Sequence, residues 1–417
     1  MARATRFADD SAHAAPTPAA VAVGGLIALA VAMGIGRFAF TPILPMMLAD
    51  SGLTLAEGSW LASANYAGYL AGALWALRAR PSPAGAVRIN LVAVAAFTLA
   101  MAAPLGFAMW FALRFAAGVA SAGVLVFATA WALARLSTLR RAALTATVFA
   151  GVGVGIVGAG LAAVALMHWH AGSRIAWLVL GGAAALATAA AWPLLRDGAA
   201  PRAGRDAAAD RGAAACRSDA PRRQPAPART ADSLRLVICY GAFGAGYIIP
   251  ATFLPVLAQQ RIEQPLVFGL AWPLFGAAAV ASTFVAAAAT QRLGNRSVWA
   301  AGHGVMAAGL VMPLAVPTLG GIAIAALAVG GTFMLITQAG LQEARRIGGE
   351  RATTLIAAMT SAFAAGQIAG PLAASAAVSL SASFAPALLG AAALLVLAAF
   401  ALLLRPPISS HASDGES

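Results

Sequence analysis

Long apolar runs separated by short polar stretches recur along the whole chain. Each run has about the 20 residues that a helix needs to cross the hydrocarbon core of a bilayer. Twelve such segments lie at about 20–48, 59–79, 88–108, 109–134, 143–168, 174–195, 234–258, 267–290, 297–317, 319–342, 353–379 and 384–404. The pattern predicts an all-α membrane protein with twelve transmembrane helices.

Three segments lack this apolar character. Residues 196–233 contain eight Arg, five Asp and four Pro, but no Leu, Ile, Val, Phe, Met, Trp or Tyr. Such a stretch has nothing with which to form a core, which predicts a disordered cytoplasmic linker. We therefore expect one six-helix bundle at 19–195 and a second at 234–405. Residues 1–18 and 406–417 are predicted to be cytoplasmic tails.

The composition agrees with a membrane protein. Hydrophobic residues make up 61% of the 417 positions, charged residues only 10%, and the mean hydropathy is +0.83. All 27 basic residues are Arg, so a Schiff-base lysine and a lysine-containing phosphate loop are excluded, and ATP-driven work is not expected. Cys216 and Cys239 form no ligand pattern, so no metal or cofactor is predicted.

The arginines predict how the chain is oriented. If both ends are cytoplasmic, 23 of the 27 fall in cytoplasmic segments, whereas only Arg174 and Arg261 fall outside. This imbalance is the usual topology signal of membrane proteins, and it explains the net charge of +13 better than nucleic-acid binding does. Arg37 and Arg114 are left within apolar segments.

The two halves of the chain echo each other at an offset of 210 residues. GIGRFAFTPILP (34–45) falls on GAGYIIPATFLP (244–255), at the first helix of each half. The identical pairs are Gly34 and Gly244, Gly36 and Gly246, Leu44 and Leu254, and Pro45 and Pro255. Two six-helix halves related by a parallel repeat are the layout of a major facilitator transporter, with its site between the halves.

Four runs resemble the YbfB/YjiJ branch of the major facilitator superfamily: GIGRFAFTPILPMM (34–47), NYAGYLAGAL (65–74), LRFAAGVASAG (113–123) and GYIIPATFLP (246–255). The resemblance implies twelve helices, alternating access and secondary transport in the bacterial inner membrane. It implies no particular substrate. The superfamily's G-x-x-x-D-R-x-G-R-R loop reads GALWALRARPSPAGAVR (72–88) here, so the Asp of its charge relay is missing.

Arg37 is the sharpest candidate for a functional residue. It lies about 17 residues into the first apolar segment, at or just past the middle of the membrane. A charge there costs roughly 2.5–3.5 kcal/mol, and such residues usually face a cavity. The alternative is that Arg37 ties helices together through backbone carbonyls.

The acids sharpen the hypothesis about the substrate. All fourteen lie in tails, loops or helix ends. A cavity holding Arg37 and Arg114 without a carboxylate would favour an anion, so we expect a substrate with a carboxylate or another small anionic group. Arg114 has an alternative, because it lies close enough to the outer end of its helix to snorkel to the interface.

Further polar and aromatic residues in the spans are candidates for substrate binding, and Tyr247 takes the place of Arg37 in the repeat. Their alternative role is hydrogen bonding between helices. These residues are Asn65, Tyr66, Tyr247, Trp272, Gln338 and Gln367.

His303 and Glu343 are the candidates for proton coupling, since they are the titratable groups nearest to mid-span. His303 has the alternative of bonding a neighbour. Pro42, Pro45, Pro250 and Pro255 remove backbone hydrogen bonds, and predict bent, partly unwound helices that act as hinges. Their alternative is a static kink.

The first hypothesis is a secondary transporter for a small organic solute. We expect it to work as a monomer in the lipid bilayer and to couple transport to a proton. A drug or multidrug efflux transporter is the alternative. A membrane sensor or scaffold is the alternative of another class. An enzyme is not expected, because GxSxG and HExxH are missing from the sequence.

Overall fold

The computed structural model describes residues 17–79, 81–196, 227–259, 269–348 and 352–404. These residues form helices and turns, and no strand occurs among them. The helices are α1 Pro18–Leu29, α2 Phe40–Asp50, α3 Leu55–Arg78, α4 Pro83–Ala100, α5 Phe107–Thr138, α6 Thr145–His168, α7 Ser173–Ala191, α8 Pro227–Gln259, α9 Ala271–Leu293, α10 Asn295–Ala315, α11 Leu319–Gly348, α12 Ala352–Ser381 and α13 Ala385–Leu403.

Ten of the spans that these residues form are long and apolar enough to cross a membrane. One consists of α1 and α2 together, Pro18–Asp50, and the others are α4 to α8 and α10 to α13. The other two long helices, α3 and α9, have 24 and 23 residues. Both pack closely between other helices, α3 against α5 and α12, and α9 against α11 and α6. The all-α prediction is confirmed, and a total of twelve crossings stays a prediction.

We call residues 17–196 the first half and residues 227–404 the second half. The halves meet along three pairs of helices, α3 with α12, α6 with α9, and α2 with α8. Helix α8 begins at Pro227, seven residues before the predicted start of the second bundle. Residues 1–16, 197–226 and 405–417, which include most of the predicted linker and tails, lie outside the described residues.

We call the side where α1 begins and α13 ends the terminal side, and the opposite side the loop side. On the terminal side, Arg235 at the start of α8 donates to the carbonyl of Leu404 at the end of α13. On the loop side, the Asp50 carboxylate accepts the Ser173 hydroxyl at 2.8 Å, which joins the end of α2 to the start of α7.

The first helix is broken in the middle. A π-helical segment, Ala30–Ile35, follows α1, and a turn at 36–39 separates it from α2. Pro42 contributes to the break, because it has no N–H to donate to the Phe38 carbonyl one turn earlier. Close packing against α6 adds to it, since a Cβ placed on Gly155 would lie 2.3 Å from the Ala30 carbonyl oxygen.

The expectation of unwound backbone at the matching place in the second half was wrong. Helix α8 runs without a break through Pro250 and Pro255. A proline removes one helical hydrogen bond, and a helix can continue when the freed carbonyl finds another donor. The carbonyl freed by Pro255 belongs to Ala251, and the Thr41 hydroxyl donates to it at 2.7 Å. The hinge role of the four prolines stays a prediction.

Candidate substrate-binding site

Arg37 lies in the turn that breaks the first helix, and it is 2% exposed. Its Nη2 donates to the Gln367 side-chain oxygen at 3.2 Å. The guanidinium carbon lies over three rings, 4.0 Å from the centroid of Tyr69, 5.3 Å from that of Tyr66 and 5.2 Å from that of Phe38. Its Nε has no hydrogen-bond partner. The charge is thus held by ring faces and one neutral amide.

Gln367 belongs to the second half, so its bond to Arg37 joins the two halves. It lies in α12, is fully buried, and its amide nitrogen donates to the Tyr247 hydroxyl at 2.6 Å. The Tyr247 ring is stacked on Phe333 and Phe363, with centroids 4.7 and 5.5 Å away. We call Arg37, Tyr66, Tyr69, Tyr247 and Gln367 the central cluster. It joins two residues of α3, one of α8 and one of α12 to Arg37 in the broken first helix.

No described acid neutralises the central cluster. Asp50 bonds to Ser173, Glu57 bonds to Thr54, and Asp232 and Glu343 bond to arginines on the terminal side. These four are the only acids among the described residues. A desolvated contact between a cation and a ring gains about 2 kcal/mol or more, which offsets only part of the cost of burying a charge.

Arg114 completes the backbone bonding of the break. Its two terminal nitrogens donate to the carbonyls of Gly36 and Arg37, each at 3.2 Å, and the guanidinium lies 4.7 Å from the ring centre of Phe40. Asn65 donates to the Arg114 carbonyl at 2.9 Å. Carbonyls in a helix break need other donors in an apolar medium, and a charged donor serves them well.

The snorkelling alternative for Arg114 was therefore wrong. The residue is 2% exposed and turned inward, because the open carbonyls of the break lie next to it. Arg114 thus has the structural role that the sequence suggested as an alternative for Arg37, because it ties helices together through backbone carbonyls. A direct contact between Arg114 and substrate stays a prediction.

Further hydrogen bonds join the halves on the loop side of the central cluster. Besides the bond from Thr41 to the Ala251 carbonyl, the Ser63 hydroxyl donates to the Ile368 carbonyl at 2.9 Å. The hydroxyls of Tyr66 and Thr252 lie 3.4 Å apart. Close packing of α6 on α9 extends this seam, since a Cβ on Gly160 would lie 2.7 Å from the Pro273 ring.

These features, a helical chain in two halves with a polar cluster between them, fit the family that a comparison of the sequence finds. A family model described as "Uncharacterised MFS-type transporter YbfB" matches residues 29–403. The chain belongs to this major facilitator family. The match spans both halves, so the resemblance seen in the sequence is confirmed, and the protein is a multi-pass membrane protein of a transporter family. No curated protein matches the chain significantly.

Two further candidates for substrate binding, Trp272 and Gln338, lie outside the central cluster. Trp272 borders the central cluster, with its ring 6.2 Å from Phe38 and 4.8 Å from Phe275, and its indole N–H is buried without a partner. Gln338 instead donates to the Thr283 carbonyl at 3.4 Å, and no described hydrogen bond links it to the cluster. The structure thus brings together Arg37, Tyr66, Tyr247, Trp272 and Gln367, with Asn65 and Arg114 beside the break.

The proton-coupling candidates lie apart from this cluster. His303 is fully buried in α10, where its Nε2 accepts the Trp299 indole N–H at 3.0 Å and its Nδ1 has no partner. Glu343 accepts from Arg296 at 2.6 Å and from Arg346 at 2.6 Å. Asp232 also pairs with Arg296, so this network fastens α8, α10 and α11 on the terminal side. Proton coupling by either residue stays a prediction.

The sequence reasoning missed Tyr69, whose ring is the closest to the Arg37 guanidinium. A signal was present, because Tyr69 lies three residues after Tyr66 and so falls on the same helix face. It also missed Thr41 and Ser63, whose hydroxyls bond across the seam. Serine and threonine hydroxyls in membrane helices usually bond within their own helix, so their positions in the sequence do not indicate which of them bond to another helix.

We predict that Arg114→Gln destabilises the protein, because the carbonyls of Gly36 and Arg37 lose a charged donor. The expected loss is about 1.5–3 kcal/mol, the range for a hydrogen bond to a charged group. The thermal unfolding midpoint in detergent should fall by several degrees. Arg174→Gln, which removes an exposed arginine, is the matched control and should leave it unchanged. An unchanged midpoint in Arg114→Gln would mean that these bonds do not support the break.

Proposed function

We propose that this protein is a secondary active transporter that moves a small organic anion across the bacterial inner membrane by alternating access. One observation carries the proposal. Arg37 is buried between the halves with an unpartnered Nε, and no described acid is paired with it. A buried charge without a counter-charge is costly, and a ligand of the opposite charge would remove that cost.

The hydrogen-bonding groups around the site also favour a substrate with a negative charge. Arg37 Nε, Arg114 Nε and the indole N–H of Trp272 are buried donors without acceptors. An anion supplies acceptors, and a carboxylate can take two parallel bonds from a guanidinium. A cation would meet two guanidiniums and no described acid, so cationic solutes are disfavoured.

The seam between the halves supports alternating access. The bonds from Thr41 and Ser63 close the loop side. The distribution of arginines favours a cytoplasmic location for both ends. The described conformation would then be closed toward the outside, with the cytoplasmic side as the next to open.

Efflux of apolar drugs is the second candidate, and the ring-rich second half favours it. Phe243, Tyr247, Phe333 and Phe363 stack with centroids 4.7 to 6.1 Å apart. These rings fill the space between helices by packing on one another. An apolar drug would also leave Arg37 without a counter-charge, so we place the anion first.

Arg37→Gln is expected to abolish transport and to leave the fold intact. The variant removes the charge that binds the substrate and also the cost of burying that charge, so its thermal midpoint should be equal or higher. Transport of anionic, neutral and cationic metabolites into inverted vesicles, with and without a pH gradient, measures the effect, with Arg174→Gln as control. Retained transport in Arg37→Gln, or thermal stabilisation of the wild type by cations alone, would contradict the proposal.

Thr41→Val is expected to loosen the loop side. It removes the hydroxyl that bonds to Ala251 and keeps the side-chain shape, and a hydrogen bond of about 0.5–1.5 kcal/mol corresponds to a two- to tenfold change in population. The reporter is Val164→Cys in a background with Cys216 and Cys239 changed to Ser, since Val164 contacts Gly269 across the seam. Its maleimide labelling in detergent should be about two- to tenfold faster.

Thr98→Val is the matched control for this experiment. The Thr98 hydroxyl bonds to the Val94 carbonyl of its own helix at 2.7 Å, so its loss should leave labelling at position 164 unchanged. Equal labelling rates in Thr41→Val and Thr98→Val would show that the Thr41 bond does not hold the loop side closed.

A further inference from the structure

The bond between Arg37 and Gln367 joins the two halves at the candidate site. Arg37 belongs to the break in the first helix, and Gln367 belongs to α12 of the second half. The Gln367 oxygen occupies a position on the guanidinium where a carboxylate oxygen would bind more strongly, because a carboxylate adds an opposite charge and can accept two parallel bonds. Gln367 therefore stands where an anionic ligand would compete.

Helix α12 is weakened at this residue. Pro371 has no N–H to donate to the Gln367 carbonyl, so one helical bond is missing at that turn. Gly366, the preceding residue, lies against the backbone of α8, where a Cβ would be 2.5 Å from the Gly241 carbonyl oxygen, and Gly370 lies against the Ile248 side chain of the same helix. Gln367 is thus held by its two side-chain bonds, to Arg37 and Tyr247, in a segment with fewer backbone bonds than its neighbours.

The two arginines are not equivalent as partners of an anion. Arg114 already uses both terminal nitrogens on the carbonyls of Gly36 and Arg37. Arg37 has one neutral partner and an Nε without a partner. The site therefore offers one guanidinium edge on which only the neutral Gln367 amide has to be displaced, and the faces of Tyr69, Tyr66 and Phe38 surround it.

We propose that the substrate is a monocarboxylate with an apolar body, and that its carboxylate replaces Gln367 on Arg37. The inference rests on the proposed function and names its substrate class. One carboxylate matches the one guanidinium edge that Gln367 would vacate, and the surrounding rings match an apolar body rather than a second charge. Because the displaced bond joins the two halves, binding of the substrate releases one of the contacts that hold the halves together.

The test uses the purified full-length protein and matched probes. Propionate, benzoate and phenylacetate are compared with their amides and with succinate and isophthalate, by thermal shift and by counterflow in proteoliposomes. At least one monocarboxylate should shift the midpoint and be transported, with an apparent affinity at least tenfold above that of its amide and of the dicarboxylates.

Gln367→Glu places a carboxylate of the protein itself on Arg37. Its midpoint without ligand should rise, and its response to the monocarboxylates should fall at least tenfold. Gln291→Glu makes the same change at an exposed position near the end of α9, outside the central cluster, and should keep the wild-type response. Gln367→Leu removes the competing amide and should bind the monocarboxylate as tightly as the wild type or several-fold more tightly.

The outcomes separate the two proposals. A wild type that responds to cations or neutral solutes and to no carboxylate overturns the proposed function. A wild type that responds to carboxylates while Gln367→Glu responds equally overturns only the exchange with Gln367. Loss of affinity in Gln367→Leu would likewise show that Gln367 binds the substrate rather than competes with it, and a preference for dicarboxylates would exclude the assigned class.

Discussion

The break in the first helix is the constraint on which the centre of the molecule depends. In a bilayer each backbone carbonyl must find a donor within the protein, and the turn at 36–39 leaves carbonyls that no helical amide serves. Arg114 reaches across from α5 to bond two of them. With the backbone stabilised in this way, Arg37 is carried to the seam between the halves rather than to one face of a regular helix.

The charges of the protein are separated into two environments. On the terminal side, Asp232 and Glu343 meet Arg296 and Arg346 in a paired network that fastens helices of one half. At the seam, the guanidinium of Arg37 meets ring faces and an amide. The ion pairs on the terminal side stabilise the packing of helices, whereas Arg37 at the seam has no described counter-charge, and the proposed anion site rests on that difference.

The sequence predicted the helices well, because an apolar run of about 20 residues has few alternatives to a membrane helix. It also predicted that Arg37 would lack an acid, since the acids could be located in the chain. The partners of Arg37 and Arg114 could not be predicted. The bond to Gln367 spans 330 positions and depends on how the turn at 36–39 meets α12. The continuity of α8 through Pro255 likewise depends on Thr41, a residue of the other half.

The bond from Thr41 to Ala251 joins two positions that correspond under the internal repeat, and Pro45 and Pro255 correspond in the same way. In a symmetric ancestor assembled from two identical halves, a threonine at both positions would have formed a reciprocal pair of bonds, each directed at a carbonyl freed by a proline. The alanine at 251 leaves one bond of that pair. An interface fastened by one such bond costs less free energy to open than one fastened by a reciprocal pair.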